Sequence, residues 1–179
     1  MLTGLRLVSE AADFAARRHS GKARKGRGDE PYINHLAEVA NLLAAVTDGA
    51  DAELVAAGWL HDTVEDTETT REELAQKFGA RIADLVVEVT DDMSLPKDQR
   101  RQKQIEDAPL KSPGAKQIKI ADKISNVRAR IVPQPSAEER EDLIDYVNWA
   151  EKVVAGCRGA NTALDRIFDD TVKLARSFL

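Results

Sequence analysis

The sequence predicts an all-α protein. Apolar residues recur at three- and four-residue steps along nearly the whole chain, as at Leu5, Val8, Ala12 and Ala15. Capping sequences typical of helix starts precede several of these apolar runs, and glycines typical of helix ends follow several of them. All six prolines fall between the predicted helices or at their starts, never inside one. Together these observations favour a helical bundle of about eight to nine or more helices.

The helices can be placed in order. Thr70 and Ser136 each begin a sequence in which a hydroxyl and a Glu three residues later satisfy free amides of the first turn. Ser112 stands before a proline suited to the first helical position. The predicted helices lie near residues 2–18, 36–47, 52–66, 71–78, 80–91, 98–107, 113–130, 137–156 and 161–178. The longer connections between them are residues 20–34 and 92–97.

Composition limits the kind of protein this can be. A length of 179 residues suits one domain, 1–179, with a single sizeable core. The net charge of −5 gives no bias towards nucleic acid, so we expect no nucleic-acid partner. A single cysteine, Cys157, excludes a disulfide framework. No signal peptide and no transmembrane run is evident, so we expect a cytoplasmic protein with no membrane partner. The oligomeric state stays open.

Four positions carry the chemistry: His35, the doublet His61-Asp62, and Asp122. This order of ligand-type residues, each in a helix-like context, resembles the ligand pattern of the HD metal phosphohydrolases. Two imidazoles and two carboxylates suit Mn, Fe, Co or Zn. An octahedral ion with positions open to water and a phosphate oxygen fits catalysis better than a closed tetrahedral zinc site.

The helix predicted over 52–66 explains why the doublet points to a metal. His61 and Glu65 are one turn apart, as are Asp62 and Asp66, so the four side chains share an arc of roughly 140°. Carboxylates at the end of an apolar helix are costly to bury without a partner, and a cation is the economical explanation. Gly58 within this helix predicts close packing against a neighbouring helix. His19, by contrast, is expected on the surface or beside the ligands.

A wider set of segments narrows the resemblance to the hydrolase domain of the RelA/SpoT enzymes. It is closer still to the stand-alone small alarmone hydrolases, of the metazoan SpoT homologue type. The matching segments are AADFAA (11–16), RK (24–25), PYINH (31–35), HDTVEDT (61–67), FG (78–79), VTDD (89–92), LPK (95–97), SPGAK (112–116) and ADKISN (121–126).

This resemblance implies an activity and a cofactor. The substrate is guanosine 3′,5′-bis(diphosphate), as tetra- or pentaphosphate, and the reaction removes the 3′-pyrophosphate to give GDP or GTP. The implied cofactor is one Mn²⁺. Glu65 and Asp66 are implied to orient and deprotonate the attacking water, a role that their place one turn beyond the ligands also supports.

The resemblance also implies the residues that bind the nucleotide. They are Arg24, Lys25, Lys97, Asn126 and Tyr146. Arg24 and Lys25 belong to a run of six basic residues between positions 17 and 27 that leads towards His35. Asp142 departs from relatives that carry a basic residue at its position.

Two other functions remain open from the sequence. One keeps the metal site and changes the substrate, as an NADPH 2′-phosphatase or another HD-domain nucleotide phosphohydrolase. The other is a nucleotide sensor without catalysis. The complete ligand set and the Glu65-Asp66 pair favour an enzyme.

Overall fold

The computed structural model describes residues 2–24 and 28–179, and within them the chain is all-α, as predicted. The only β-type pairing in these residues is an isolated antiparallel bridge between Ala23 and Pro31. The helices are α1 (Gly4–Arg18), α2 (Ile33–Val46), α3 (Ala52–Leu60), α4 (Thr63–Asp66), α5 (Arg71–Phe78), α6 (Ala80–Val89), α7 (Lys97–Asp107), α8 (Pro113–Arg128), α9 (Ala137–Cys157) and α10 (Thr162–Arg176), with a 3₁₀ turn at Ala108–Leu110.

The chain divides into two compact units, Met1–Ser94 and Leu95–Leu179. The first unit holds α1 to α6, and the second holds α7 to α10. The expectation of one catalytic domain over residues 1–179 therefore stays a prediction.

Helix α3 is the centre of the first unit. It packs against α1, α2 and α6, and nearly all of its residues from Leu54 to Leu60 are buried. A helix that is apolar on all sides has to be enclosed by others, which explains this central position. Asp51 starts the helix, because its side chain accepts a hydrogen bond of 3.0 Å from the Leu54 amide.

The single helix predicted over 52–66 is wrong, because the structure breaks it at the His61-Asp62 doublet. Helix α3 ends at Leu60 and the short α4 begins at Thr63. The imidazole of His61 donates a hydrogen bond of 2.8 Å to the Gly58 carbonyl, and the Thr63 hydroxyl donates one of 2.6 Å to the Leu60 carbonyl. Such side-chain bonds compete with helical amides for the same carbonyls. The doublet consequently lies in a turn between two helices.

Gly58 lies against α2, as the sequence predicted. A Cβ atom at Gly58 would stand 2.6 Å from Leu43 Cδ1 and 3.3 Å from Ala40 Cα. Leu43 is fully buried, so its side chain has little room to move aside. Only glycine allows α2 and α3 to approach this closely.

Gly58→Ala is therefore expected to destabilise the fold by about 1–3 kcal/mol, the usual cost of overpacking, despite the better helix propensity of alanine. Chemical denaturation measures this loss. Gly156→Ala is a matched variant, since a Cβ there would meet Ala108 Cβ and Pro109 Cδ at 2.8 Å. Both variants should lose stability, but only Gly58→Ala disturbs the carbonyl that holds His61. Unchanged stability of Gly58→Ala would contradict the close approach.

The second unit is arranged around α8, which packs against α9 and α10. Ser112 caps α8 by accepting a hydrogen bond from the Ala115 amide, with Pro113 at the first helical position. Ser136 and Glu139 form the reciprocal cap of α9 that the sequence predicted. Charged side chains are buried on α8, among them Lys119, Asp122 and Lys123.

No helix in the described part of the chain combines the length and the apolar character that crossing a lipid bilayer requires.

Candidate metal centre

His35, His61 and Asp62 meet in the first unit. Each offers one ligand atom, and these atoms lie within 4.8 Å of one another. Asp62 Oδ2 is 3.1 Å from His61 Nε2 and 3.5 Å from His35 Nε2. The two histidine rings stand edge to face with centroids 5.1 Å apart. Two nitrogen donors and one oxygen donor are thus close enough together to bind one divalent ion.

The orientation of His61 suits a metal ligand. Its Nδ1 lies 2.8 Å from the Gly58 carbonyl oxygen, which can only accept, so Nδ1 carries the proton. Nε2, which lies 3.1 Å from Asp62 Oδ2, is then the nitrogen that would bind a cation in place of a second proton. Ligand histidines in metalloproteins are usually held by such a bond to a carbonyl. The donor set therefore fits a divalent cation.

Tyr32 and Arg24 enclose the ligand cluster. The Tyr32 hydroxyl donates a 2.5 Å hydrogen bond to Asp62 Oδ2. The Arg24 guanidinium lies 3.3 Å from His35 Nδ1, and it also stands 3.7 Å from Glu30 and 3.9 Å from Glu38. Arg24 is only 7% exposed. Its charge is thus compensated inside the protein, beside a predicted ligand.

Asp62 is held in its charged form. Burial acts to raise the pKa of its carboxyl group, but the positive charges and N–H groups of His61 and His35 more than offset this and keep the pKa well below its usual range. An ionised carboxylate between two imidazoles is the form that coordinates a cation.

Glu65 and Asp66 follow the doublet in α4, and their carboxylates have different surroundings. Glu65 Oε2 accepts a 2.9 Å hydrogen bond from the backbone amide of Asp91. Asp66 Oδ2 lies 3.7 Å from Lys22 Nζ and 3.9 Å from His19 Nε2. One carboxylate is thus anchored by the backbone and the other stands beside side-chain nitrogens.

Asp122 lies on α8 in the second unit, where both of its carboxylate oxygens are engaged. Lys123 Nζ donates to Oδ2 at 2.7 Å, and Asn126 Nδ2 donates to Oδ1 at 2.6 Å. Asp122 and Lys123 are both buried. The Asn126 amide, predicted to contact the nucleoside, therefore orients the predicted ligand Asp122.

The other predicted nucleotide contacts fall in different settings. Tyr146 is buried on α9, and burial raises the pKa of its phenol. The Arg130 guanidinium lies 3.7 Å from the centre of the Tyr146 ring, and Arg130 Nε is 3.0 Å from Asp142 Oδ2. Lys97 begins α7 and is exposed. Lys25 lies outside the described residues.

Sequence reasoning missed several residues around the ligands. Tyr32 precedes His35 by one helical turn, a spacing that could have indicated it. Of the two settings predicted for His19, the structure excludes the surface and agrees with a place beside the ligands, since its buried ring stacks on Tyr32 with centroids 5.2 Å apart. Lys123 follows Asp122 directly, but no pattern in the sequence shows that its charge is buried.

The basic run is largely compensated by acidic partners among the described residues. Arg17 pairs with Asp13 at 3.0 Å, and Arg18 hydrogen-bonds to Glu73. Lys22 lies at Asp66, and Arg24 lies between Glu30 and Glu38. These side chains are therefore part of the protein's own charge network.

Comparisons with known proteins identify the family of the chain. The family model described as the HD domain matches residues 11–143. Human guanosine-3′,5′-bis(diphosphate) 3′-pyrophosphohydrolase MESH1 is 47% identical over 158 residues, covering 87% of each chain. The Drosophila melanogaster MESH1 is 39% identical over 161 residues, covering 90% of each chain.

A solved structure supports the same assignment. It is described as a metazoan ortholog of SpoT that hydrolyses ppGpp and plays a role in starvation responses. It superposes with a TM-score of 0.88 at 36% identity, covering all of both chains. Because the HD-domain model matches most of the chain and relatives are similar over nearly its whole length, the chain belongs to the HD-domain family, in the SpoT-like group that includes the MESH1 proteins.

Proposed function

We propose that this chain is a metal-dependent hydrolase that removes the 3′-pyrophosphate from guanosine 3′,5′-bis(diphosphate), giving GDP from the tetraphosphate and GTP from the pentaphosphate. The observation that carries the proposal is the cluster of His35, His61 and Asp62 with two carboxylates directly beyond it. The human relative named for this reaction is 47% identical over most of the chain. The substrate is a small guanine nucleotide, and we expect the enzyme to act on it in the cytoplasm, without nucleic acid.

The proposed metal ligands are His35, His61, Asp62 and Asp122, and the proposed ion is Mn²⁺. A bound divalent ion supplies a water of lowered pKa and neutralises charge on the phosphoryl oxygens. Mixed nitrogen and oxygen ligands accept Mn²⁺ among several transition metals. The Gly58 carbonyl and Tyr32 hold His61 and Asp62 in orientations suited to this role.

Asp122 is the ligand whose assignment most needs a separate test. Asp122→Ala is expected to weaken Mn²⁺ binding by at least about tenfold, measured by titration calorimetry, because one charged ligand is lost. Asp169→Asn is the matched control, since Asp169 forms an exposed ion pair with Arg158. Equal Mn²⁺ affinity of the Asp122 variant and the control would remove Asp122 from the ligand set.

Glu65 and Asp66 are proposed to orient the attacking water and to accept its proton. The bond that forms joins the water oxygen to the phosphorus of the 3′-pyrophosphate, and the bond that breaks releases the ribose 3′-oxygen, which takes up a proton. The Asp91 amide fixes Glu65 Oε2 and thereby aims the carboxylate. General-base assistance of this kind contributes roughly 10²–10⁴ in rate.

The nucleotide is proposed to contact Arg24, Lys25, Lys97, Asn126 and Tyr146. Lys97 is exposed, so its ammonium group can bind the phosphates of a nucleotide that arrives from solvent. Tyr146 is buried and has the Arg130 guanidinium 3.7 Å from the centre of its ring, so its proposed contact with the nucleotide rests on the resemblance to the family. Arg24 and Asn126 also touch predicted metal ligands, so they would couple nucleotide binding to the metal centre.

The deciding experiment incubates the protein with Mn²⁺ and the tetraphosphate, and follows the products by chromatography. We expect GDP and pyrophosphate in equal amounts, and no turnover after removal of metal by a chelator. The same assay with NADPH and with common nucleoside triphosphates tests the other phosphohydrolase functions. Release of single phosphates from the tetraphosphate, or binding without turnover, would contradict the proposal.

A further inference from the structure

The carboxylate of Asp66 has two nitrogen-bearing neighbours that no catalytic role yet explains. Lys22 Nζ lies 3.7 Å from Asp66 Oδ2, and His19 Nε2 lies 3.9 Å from the same oxygen. Both neighbours come from the segment that follows α1. Both neighbours therefore approach the same carboxylate oxygen.

Lys22 also contacts the main chain of Asp66 itself. Its ammonium group donates a hydrogen bond to the main-chain carbonyl of Asp66, the last residue of α4. Carbonyls at the end of a helix have no helical amide to accept from, and a lysine is a suitable donor for them. One side chain therefore holds both the main chain and the charge of Asp66.

The segment that carries Lys22 is itself held on both sides. The Lys22 amide donates to the His19 carbonyl at 3.0 Å, and the Lys22 carbonyl accepts from the Tyr32 amide at 2.9 Å. Gly21 makes the turn possible with a φ of +77°. His19 is in turn fixed by its Nδ1, which lies 3.0 Å from the Ala15 carbonyl oxygen. These bonds fix the backbone from which the Lys22 side chain extends.

We propose that Lys22 is a positioning residue for Asp66, and that the buried ring of His19 forms the wall against which the Asp66 carboxylate is held. The proposal rests on the proposed function, in which Asp66 acts on the attacking water. Glu65 is held by a backbone amide, whereas Asp66 is held by a long and partly exposed side chain. The two members of the catalytic pair are thus anchored by different means, and only one anchor can be removed by a single side-chain change.

A second role for Lys22 would use the same charge in another way. Lys22 belongs to the basic run, so its ammonium could hold a substrate phosphate instead of Asp66. The two roles differ in kinetics. Loss of a phosphate contact weakens substrate binding and raises KM, whereas loss of positioning lowers kcat.

Lys22→Met keeps the length of the stem and removes the charge, and Lys22→Arg restores it. In the Mn²⁺-loaded enzyme we expect Lys22→Met to lower kcat by about 10–100-fold, the range typical of groups that orient active-site side chains, with KM changed less than about twofold. Lys22→Arg should recover most of the loss. Lys173→Met is the matched control, an exposed lysine in α10, and it should keep wild-type kinetics.

A double-mutant cycle with Asp66→Asn decides between the roles. If Lys22 acts through Asp66, Lys22→Met has no further effect on kcat in the Asp66→Asn background, because the group it orients is already gone. Mn²⁺ affinity, measured by calorimetry, should equal that of the wild type in every Lys22 variant.

Several results would overturn the proposal. One is a raised KM with unchanged kcat in Lys22→Met. Another is that Lys22→Met lowers kcat in the Asp66→Asn background as much as it does in the wild type. A third is a lowered Mn²⁺ affinity of the Lys22 variants. Failure of the proposed function can be told apart from failure of the role of Lys22. In the first case the wild-type protein releases no pyrophosphate, and this proposal fails as well. Normal wild-type turnover with normal kcat in Lys22→Met would overturn the role of Lys22 alone.

Discussion

Asp62→Asn is expected to abolish measurable Mn²⁺ binding and to lower pyrophosphate release by on the order of 10³-fold. A metal ion contributes several kcal/mol of transition-state stabilisation, and each 1.36 kcal/mol is tenfold in rate. Asp62 Oδ2 is the atom on which His35, His61 and Tyr32 all converge. Asparagine keeps the shape of the side chain but removes the charge that binds a cation. Titration calorimetry and kcat/KM at saturating Mn²⁺ measure the two effects.

Asp84→Asn is the matched control for this change. Asp84 forms an exposed ion pair with Arg71 at 2.6 Å, and exposed pairs contribute about 0–1 kcal/mol. The control should bind Mn²⁺ and turn over substrate as the wild type does. Full activity of Asp62→Asn with Mn²⁺ still bound would show that the ion sits elsewhere.

Glu65→Gln is expected to lower kcat by about 10²–10⁴-fold while Mn²⁺ affinity stays close to that of the wild type. Glutamine retains a carbonyl oxygen that can accept from the Asp91 amide, so the side chain should keep its place. It cannot accept the proton of the attacking water. Single-turnover rates of pyrophosphate release and calorimetric titration of Mn²⁺ separate catalysis from metal binding.

Glu68→Gln serves as the control for Glu65. Glu68 is an exposed residue three positions further along the chain. It should have wild-type kinetics, since the same chemical change there touches neither the ligands nor the Asp91 amide. If Glu65→Gln lost Mn²⁺ affinity in step with kcat, Glu65 would be acting as a ligand and not as a base.

Helix positions were predictable because periodicity and caps are local properties. The reciprocal cap at Ser136 and the proline start after Ser112 appear where the sequence places them. The break between α3 and α4 was not predictable from periodicity, since apolar and polar residues keep their helical phase through it. It depends on His61 and Thr63 bonding to carbonyls of the preceding turn.

Spacing along the chain also predicted part of the arrangement around His61. The spacing of His61 to Glu65 placed ligand-type and acidic residues near one another, but the meeting of His35 with His61 depends on how α2 packs on α3. Arg24 was expected to face a nucleotide, and its burial beside His35 is a property of packing that composition cannot show. The proposed roles of Asp122, Lys97 and Tyr146 stay predictions.

By itself, the sequence determined an all-α chain, the residue types that can bind a divalent ion and the family to which they belong, because these depend on order and spacing along the chain. Only the tertiary structure decided which distant partner holds these side chains: Tyr32 for Asp62, and Lys22 for Asp66. Lys22 and Asp66 are 44 positions apart. Contacts at such separation arise from helix packing, which places distant segments side by side without leaving a periodic trace in the sequence.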